Sequence, residues 1–364
     1  MLAPIFMGVT LMALTGSVDD LTEAASRGRL DDVKRVVASD VAVDALDGAG
    51  RTGLMAAATN GRVEVLDFLL DTARAKVGVV DKHGEDALFK AVKRGQLPAI
   101  DTLLRHKALT TRKTKNGETL LFAAVESQKI EVVERVLQLA VPLDTVDSNE
   151  QTALCVAARA GWQEGVTALF QKGASLNGAL RFSVLGGQVE TTEFLLKHGV
   201  AVDSVHEGCT ALHTAALQAN LAMVKLLLSH GASVKTECEG RSILLSASLY
   251  AKPESVEVLK ALMKAGVKPT SGTVGPAVWV AADRGSTELV QLLVYYKHDA
   301  GDYRDDHDVT PLMRAALGGH EAVARVLIEY GARAFLKDEK GKTAAMYARE
   351  GNHEALAQWL EGGN

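Results

Sequence analysis

The sequence is poor in aromatic residues, cysteine and proline. Only 5% of its 364 residues are Phe, Trp or Tyr, and it contains 3 Cys and 7 Pro. A small, odd number of cysteines in a chain of this length argues against a disulfide framework and favours a reducing compartment. The 47% hydrophobic content therefore consists mainly of Ala, Leu and Val. Because Ala and Leu are strong helix formers, the composition predicts an all-α fold.

The sequence also lacks a basic surplus and a long apolar run. Its 40 Lys and Arg residues face 45 Asp and Glu residues, a net charge of −5, which weighs against a nucleic-acid-binding protein. The longest apolar stretch with few charges runs from residue 1 to residue 14. A helix that crosses a bilayer needs about 20 apolar residues, so we expect no membrane span.

The N-terminal stretch, residues 1–15, has two interpretations. Its apolar run has the length of a signal peptide, and the small residues Ala13 and Thr15 lie at a possible cleavage site, but no Lys or Arg precedes the run. As a signal peptide it would place the protein outside the cell. As a helix or strand that covers the first apolar face of the domain, it would leave the protein in the cytoplasm, which is our leading expectation.

What the sequence contains in abundance is self-similarity. Residues 51–70, 151–170, 209–228 and 309–328 each read Thr-x-Leu, a pair of small residues, a turn, and then Val and Leu at helical spacing. The position of that Thr recurs at intervals of 33, 34, 33, 33, 26, 32, 32, 34, 34 and 33 residues, at Asp19, Thr52, Asp86, Thr119, Thr152, Gly178, Thr210, Ser242, Pro276, Thr310 and Thr343. Such a period indicates a stack of small units that share one continuous core.

The repeated residues suit two short helices per unit. Small pairs such as Ala57-Ala58 and Ala123-Ala124 let neighbouring first helices approach closely. A Thr or Ser before the first helix can accept hydrogen bonds from its unpaired N–H groups. Glycines such as Gly61 and Gly161 allow the tight turn into the second helix.

The motif in Thr210-Ala211-Leu212-His213-Thr214-Ala215-Ala216, followed by residues 224–232, resembles the ankyrin repeat. The resemblance implies an α-solenoid of stacked helix-turn-helix units with β-hairpin or loop fingers, curved into a superhelix. It further implies a monomer that presents a concave surface of fingers and first helices to a protein or peptide partner. We divide the chain into an apolar segment (1–17) and one repeat domain (18–361), with an N-terminal cap (18–46), repeats (47–337) and a C-terminal capping repeat (338–361).

Four departures from the repeat are visible. The 26-residue interval before Gly178 predicts a missing finger, and Ser271 to Pro276 form an atypical loop. Ala251 to Pro253 are extra residues between two helices, and Asp308 stands where the finger usually has Gly. Such changes are typical of drift in surface loops, but a specialised binding segment near residues 171–210 is the alternative.

The sequence offers no catalytic motif. It has no P-loop, G-x-S-x-G, H-E-x-x-H or C-x-x-C, so we predict no enzyme, no cofactor and no metal. His206, Cys209, His213 and Cys238 could suggest a zinc site because neighbouring fingers lie close together. However, two of them are ordinary finger positions and His213 is the family's own histidine after Leu.

Candidate partner-binding residues follow from the register of the repeat. They are Lys82, His83, Lys93, Arg94, Lys115, Asn116, Asn149, Arg159, Trp162, His206, Glu207, Arg241, Tyr250, Asp306 and His307. From residue 82 to residue 115 nine basic residues face three acidic ones, which favours an acidic or phosphorylated partner. Trp162, Tyr250 and Tyr303 are candidate exposed aromatic anchors, with packing on its neighbour as the alternative for Trp162.

Two functions compete. The first is a non-catalytic scaffold or adaptor whose basic fingers attract an acidic protein partner. The second is a secreted or exported effector that acts on a foreign protein. The mass of the native N-terminus distinguishes them, because only the second requires cleavage near Thr15.

Overall fold

A computed structural model describes residues 16–206 and 208–362, so the N-terminal segment of residues 1–15 lies outside the described part. The described residues form 22 α-helices and no extended strand. Their bounds are α1 Val18–Arg27, α2 Leu30–Ala38, α3 Gly53–Thr59, α4 Val63–Asp67, α5 Ala87–Lys93, α6 Leu97–Arg105, α7 Leu120–Ser127, α8 Ile130–Leu137, α9 Ala153–Ala160, α10 Gln163–Gln171, α11 Ala179–Leu185, α12 Val189–Lys197, α13 Ala211–Leu217, α14 Leu221–Ser229, α15 Ile243–Ser248, α16 Ser255–Lys264, α17 Ser271–Asp283, α18 Thr287–Tyr296, α19 Pro311–Leu317, α20 Glu321–Glu329, α21 Ala344–Glu350 and α22 Glu354–Glu361. A π-helical turn, Phe68–Thr72, extends α4, and a 3-10 turn, His298–Asp302, follows α18.

The chain divides into two compact units, and within each unit the helices alternate between two layers. Unit 1 comprises Met1–Ala157 and Trp162–Ser175, and unit 2 comprises Ala158–Gly161 and Leu176–Asn364. Within unit 1, the first helices α1, α3, α5 and α7 pack in succession, and the second helices α2, α4 and α6 form a parallel row. Within unit 2, the row of first helices consists of α11, α13, α15, α17, α19 and α21. The row of second helices consists of α12, α14, α16, α18 and α20.

Small side chains allow the first helices to pack closely. Ala57, Ala58, Ala123 and Ala124 are fully buried between neighbouring helices of unit 1. Large aliphatic side chains fill the space between the two layers, and Leu69 is fully buried among them. Since a helix of eight residues has little stability alone, the stack is held by this nearest-neighbour burial. The predicted all-α stack of helix pairs is confirmed.

Fingers join most successive helix pairs. Six of them span five residues each: 47–51, 81–85, 114–118, 147–151, 305–309 and 338–342. In each, the backbone N–H of the first residue donates to the carbonyl oxygen of the fifth, and a residue with positive φ closes the turn. These fingers are tight loops, and isolated β-bridges occur at His206–Cys209 and Cys238–Arg241.

The departures from the repeat have mixed outcomes. Only a short link, residues 172–178, joins α10 to α11, so the missing finger is confirmed. Asp308 adopts the left-handed conformation, with a φ of 61°. The prediction of a loop over residues 271–276 is wrong, because a capping box of Thr270 and Thr273 starts α17 at Ser271 and the helix passes through Pro276.

Candidate partner-binding surface

The finger tips of unit 1 are exposed and regularly spaced. Lys82 and His83 lie on one finger, and Lys115 and Asn116 lie on the next. The backbone N–H of Lys115 donates to the carbonyl oxygen of His83 at 2.9 Å, and Ser148 makes the equivalent bond to Asn116 at 2.8 Å. These bonds align three successive fingers, so the predicted residues Lys82, Lys115 and Asn149 form one row.

A carboxylate holds the shape of most of these fingers. The side chain of Asp81 accepts hydrogen bonds from the backbone N–H groups of His83, at 2.8 Å, and Glu85, at 3.0 Å. Asp47 and Asp147 bond in the same way within their own fingers. An Asp side chain that satisfies the backbone two and four residues ahead fixes a tight loop.

Behind the tips, two lysines of α5 are neutralised by carboxylates. The Nζ atom of Lys90 lies 2.7 Å from Asp81 and also contacts Glu85. Lys93 lies 2.8 Å from Glu126, on α7, and 3.4 Å from Glu85. The network therefore connects a finger with two successive first helices, and it removes two cations from the predicted basic surface.

The pKa shifts in this network follow from burial and ion pairing. Burial alone lowers the pKa of Lys90, but hydrogen bonds to Asp81 and Glu85 raise it above the ordinary lysine value. Burial likewise opposes ionisation of Asp81, yet its hydrogen bonds to Lys90 and the backbone lower its pKa. Burial and the nearby charge of Glu126 raise the pKa of Glu118.

The charge count along the chain overstates the basic character of this region. Arg105 pairs with Asp67, and Arg112 pairs with Asp86, in addition to the pairs of Lys90 and Lys93. The cations of the region that take part in no ion pair within the described residues are Lys82, Arg94, Lys107, Lys113 and Lys115. Of these, Lys82, Arg94 and Lys115 lie on the fingers or at the end of a first helix.

Arg94 lies beside a cavity. It is the exposed C-terminal cap of α5, and with Arg51, Asn60 and Lys93 it lines a pocket of about 230 Å³ between α3 and α5. Arg51 bonds to Asp47 through two nitrogens, at 2.9 and 3.1 Å. The guanidinium groups of Arg51, bonded to Asp47, and of Arg94 line the pocket together with Lys90 and Lys93, whose carboxylate partner Glu85 also lines it. We define Lys82, Arg94 and Lys115 with this pocket as the basic finger surface.

The predicted residues of unit 2 do not form a similar row of free side chains. His206 contacts Arg181 through Nδ1, at 2.9 Å, and packs edge-on against Phe182. Arg241 pairs with Glu239. Arg159 and Tyr250 are exposed, and Glu207 lies outside the described residues.

The last predicted pair lies on the finger at 305–309. Asp306 and His307 are both exposed. His307 Nδ1 lies 2.9 Å from the carboxylate of Glu339 on the next finger, and the N–H of Glu339 donates to the carbonyl oxygen of His307. These contacts repeat the finger alignment seen in unit 1.

Two of the three expected aromatic anchors are not exposed. The ring of Trp162 covers Gly165 so closely that a Cβ atom there would lie 2.2 Å from it. Tyr303 packs against Gly275 of α17 in the same manner. Both side chains are half-buried because a helical glycine leaves room for a ring, whereas Tyr250 remains 59% exposed.

Sequence reasoning missed one aromatic group near a finger. Trp279 of α17 donates its indole N–H to the carbonyl oxygen of Val309 at 3.1 Å. Arg314 stacks over the ring, 4.8 Å from its centroid, and forms an ion pair with Asp283. The sequence signal for this stacking was that Trp279 and Arg314 lie about one repeat apart.

The cysteines that could have suggested zinc are joined to each other. Cys209 and Cys238 form a disulfide between two successive fingers, with a Cα–Cα distance of 4.4 Å. The cysteine count argued against a framework of several disulfides and did not predict this single one. Burial lowers the pKa of His213, and its Nδ1 lies 3.0 Å from the Thr210 hydroxyl. His213 thus acts as a neutral group that fixes the start of α13.

One other cluster has ligand-type side chains. Asp67, Asp71 and His106 bring three ligating atoms within 4.8 Å of one another. However, Asp71 is mostly exposed, and the Arg105 guanidinium lies 3.6 Å from Asp67. Ion pairing with Arg105 accounts for this cluster, and we assign no metal to it. Among the described helices, we find none that is long and apolar enough to cross a membrane.

Family comparison agrees with the fold. The family model "Ankyrin repeats (3 copies)" matches residues 21–114, 108–179, 180–272 and 278–362. The chain therefore belongs to the ankyrin repeat family. Ankyrin repeats are generally non-catalytic modules of protein–protein interaction.

Two known proteins illustrate the similarity. The human ASB11 ankyrin repeat domain, a crystal structure, aligns with a TM-score of 0.53 and 25% identity over 60% of this chain and 100% of that one. Dauer abnormal formation protein 25 of Caenorhabditis elegans is 38% identical over 104 residues, which are 28% of this chain and 26% of that protein. The chain thus matches about a quarter of the length of that relative.

Proposed function

We propose that this protein is a non-catalytic scaffold that binds an acidic protein or peptide through the basic finger surface of unit 1. The observation that carries the proposal is the division of the lysines and arginines into two classes. Lys90 is held by two buried carboxylates and Lys93 is paired with Glu126 and Glu85, whereas Lys82, Arg94 and Lys115 are exposed and make no ion pair within the described residues. Exposed cations on an aligned, rigid frame attract and orient an acidic partner.

The pocket beside Arg94 gives the proposal a point of attachment. A carboxylate or phosphate of the partner would enter between Arg51 and Arg94, whose guanidinium groups donate several hydrogen bonds each. Lys82 and Lys115 would then contact acidic groups farther along the same segment. Backbone bonds between successive fingers, such as Lys115 to His83, keep this spacing fixed.

A triple charge reversal tests the proposal. Lys82→Glu, Arg94→Glu and Lys115→Glu change exposed groups without breaking an ion pair of the network around Lys90. The matched control is Lys34→Glu, Arg74→Glu and Lys172→Glu, which makes the same charge change at exposed positions on the second-helix side of unit 1. Partners are captured with the tagged full chain and identified by mass spectrometry.

We expect the finger variant to weaken capture of the main partner by at least about tenfold, and this loss to decrease as salt increases. The control variant should bind as the unaltered chain does. Equal binding by both variants would refute the role of the basic finger surface. Loss of binding by both would point to net charge alone.

An exported protein is the second candidate, and the Cys209–Cys238 disulfide favours it. Disulfides persist outside the cytoplasm and are reduced inside it. A mature N-terminus near residue 16, measured by intact mass on the native protein, would support export. An intact N-terminus together with free thiols would support our leading proposal, a cytoplasmic scaffold.

A further inference from the structure

The two fingers joined by the disulfide are built differently from the other six. Each five-residue finger begins with Asp or Thr, and the five Asp residues accept ten backbone hydrogen bonds of 2.7–3.0 Å. In the two fingers of unit 2 that contain cysteine, His206 and Cys238 stand at this first position. Neither can accept hydrogen bonds as a carboxylate does, so both fingers lack the usual internal support.

These fingers are also one residue shorter. His206 and Cys209 exchange both backbone hydrogen bonds, at 3.0 and 3.1 Å, and Cys238 and Arg241 do so at 3.0 and 2.9 Å. In the second finger Glu239 and Gly240 both have positive φ, at 52° and 73°, as a two-residue hairpin turn requires. The two 32-residue intervals of the repeat record these deletions.

The disulfide takes the place of the missing carboxylates. It joins the last residue of one finger to the first residue of the next, across 29 residues of sequence. Elsewhere in the chain, neighbouring fingers are aligned by a backbone bond from the second residue of one to the third of the other, as in Lys115 to His83. A covalent bond between the two fingers can restrict the motion of both where the internal carboxylate is absent.

We propose that the Cys209–Cys238 disulfide is a site of thiol–disulfide exchange that controls the order of these two fingers. Cys209 is half-buried and Cys238 is buried, so a dithiol reductant reaches the Cys209 sulfur first. Its thiolate bonds to Cys209 and releases Cys238 as a thiolate, which takes up a proton. The second thiol of the reductant then displaces Cys209, so the protein gains two electrons and two protons and the reductant becomes a disulfide.

Reduction would leave each finger with two backbone hydrogen bonds, no covalent link to the other finger, and side-chain contacts such as that of His206 with Arg181 and the ion pair of Arg241 with Glu239. Local opening of such loops costs little free energy, so their amide hydrogens should exchange faster. A consequence for partner binding, through His206 and Arg241, rests on the proposed function. The change in finger order does not, and it can be measured without a partner.

The experiment uses the full chain purified in air, first by non-reducing peptide mapping and then by hydrogen exchange with and without dithiothreitol. We expect a linked Cys209–Cys238 peptide, and about tenfold faster exchange of the amides of His206, Cys209, Cys238 and Arg241 after reduction. The fingers at 305–309 and 338–342 are internal controls and should not change. In a Cys209→Ser, Cys238→Ser variant, the amide hydrogens of these fingers should exchange as fast as in the reduced chain, and the reductant should not change their rates.

Three results would overturn the inference. Free thiols at Cys209 and Cys238 in the air-purified chain would remove the site. A linked peptide with unchanged exchange after reduction would show that the bond does not order the fingers. Equal acceleration in the control fingers would mean that reduction loosens the whole unit. None of these outcomes bears on charge reversal in unit 1.

Discussion

Lys90 should be essential to the stability of unit 1, although it lies on the face where a partner would dock. Its side chain is only 20% exposed, and it contacts Asp81 and Glu85, whose side chains are 5% and 10% exposed. Lys90→Met keeps the length and the apolar stem but leaves the buried Asp81 carboxylate without its lysine, and Glu85 keeps only the longer contact with Lys93. Removal of one partner from a buried ion pair costs about 3–5 kcal/mol. Because Lys90 is partly exposed, we expect Lys90→Met to lower the free energy of unfolding by about 3 kcal/mol.

Lys93→Met is the matched control on the same helix. Lys93 is 39% exposed and its main partner Glu126 is 37% exposed. Pairs this close to solvent contribute less than about 1 kcal/mol. Urea unfolding followed by far-UV circular dichroism should therefore separate the two variants by roughly 2 kcal/mol, read from the transition that responds to substitution in unit 1.

The pH dependence gives the prediction its sign. In the unaltered chain the pKa of Asp81 is lowered, so its contribution is present at neutral pH and is lost as the pH falls through the folded-state pKa. Without Lys90, burial opposes ionisation of Asp81 with only the backbone hydrogen bonds of His83 and Glu85 against it, so the Asp81 pKa should lie above its value in the unaltered chain and acidification should reduce the difference between the two proteins. The difference in free energy of unfolding between the unaltered chain and Lys90→Met should narrow from about 3 kcal/mol at pH 7 to below about 1 kcal/mol near pH 3. A Lys90→Met variant as stable as Lys93→Met, or a gap that does not depend on pH, would refute this reasoning.

Two further predictions concern single contacts. Burial and the Asp338 carboxylate raise the pKa of Tyr347 to about 12. Stability should therefore fall as the pH rises from about 10 to 12, where only the unfolded phenol ionises; Tyr347→Phe should flatten this fall in urea titrations, and an unchanged slope would contradict it. Gly165→Ala would place a Cβ atom against the Trp162 ring, costing about 1–3 kcal/mol. Gly272→Ala has open space and should gain about 0.5 kcal/mol in thermal unfolding, and equal effects of the two would rule out the packing explanation.

The sequence predicts the repeated architecture because one local pattern is written many times. Each copy places small residues on one helix face and aliphatic residues between the layers. The period therefore remains recognisable even where a single copy departs from the pattern. The missing finger before Gly178 followed from a single short interval. The 32-residue intervals on either side of Thr210 were equally visible, and they mark the fingers at His206 and Cys238.

The chemistry of the surface could not be predicted as well, because it depends on contacts between repeats. Counting from residue 82 to residue 115 excludes Asp81 and Glu126, which neutralise Lys90 and Lys93. Likewise, three cysteines in 364 residues gave no reason to expect a disulfide. Two of them meet because the last residue of one finger lies beside the first residue of the next finger.

The same physical distinction separates structural charges from recognition charges. A lysine in contact with buried carboxylates stabilises the folded repeats, because its loss leaves buried negative charge without a partner. A lysine at an exposed finger tip contributes little to folding, so substitutions there change binding with little cost to stability. Lys90 belongs to the first class, and Lys82 and Lys115 belong to the second. Under the proposed function, charge reversal at the tips of the basic finger surface should therefore change partner binding and leave the free energy of unfolding nearly unchanged.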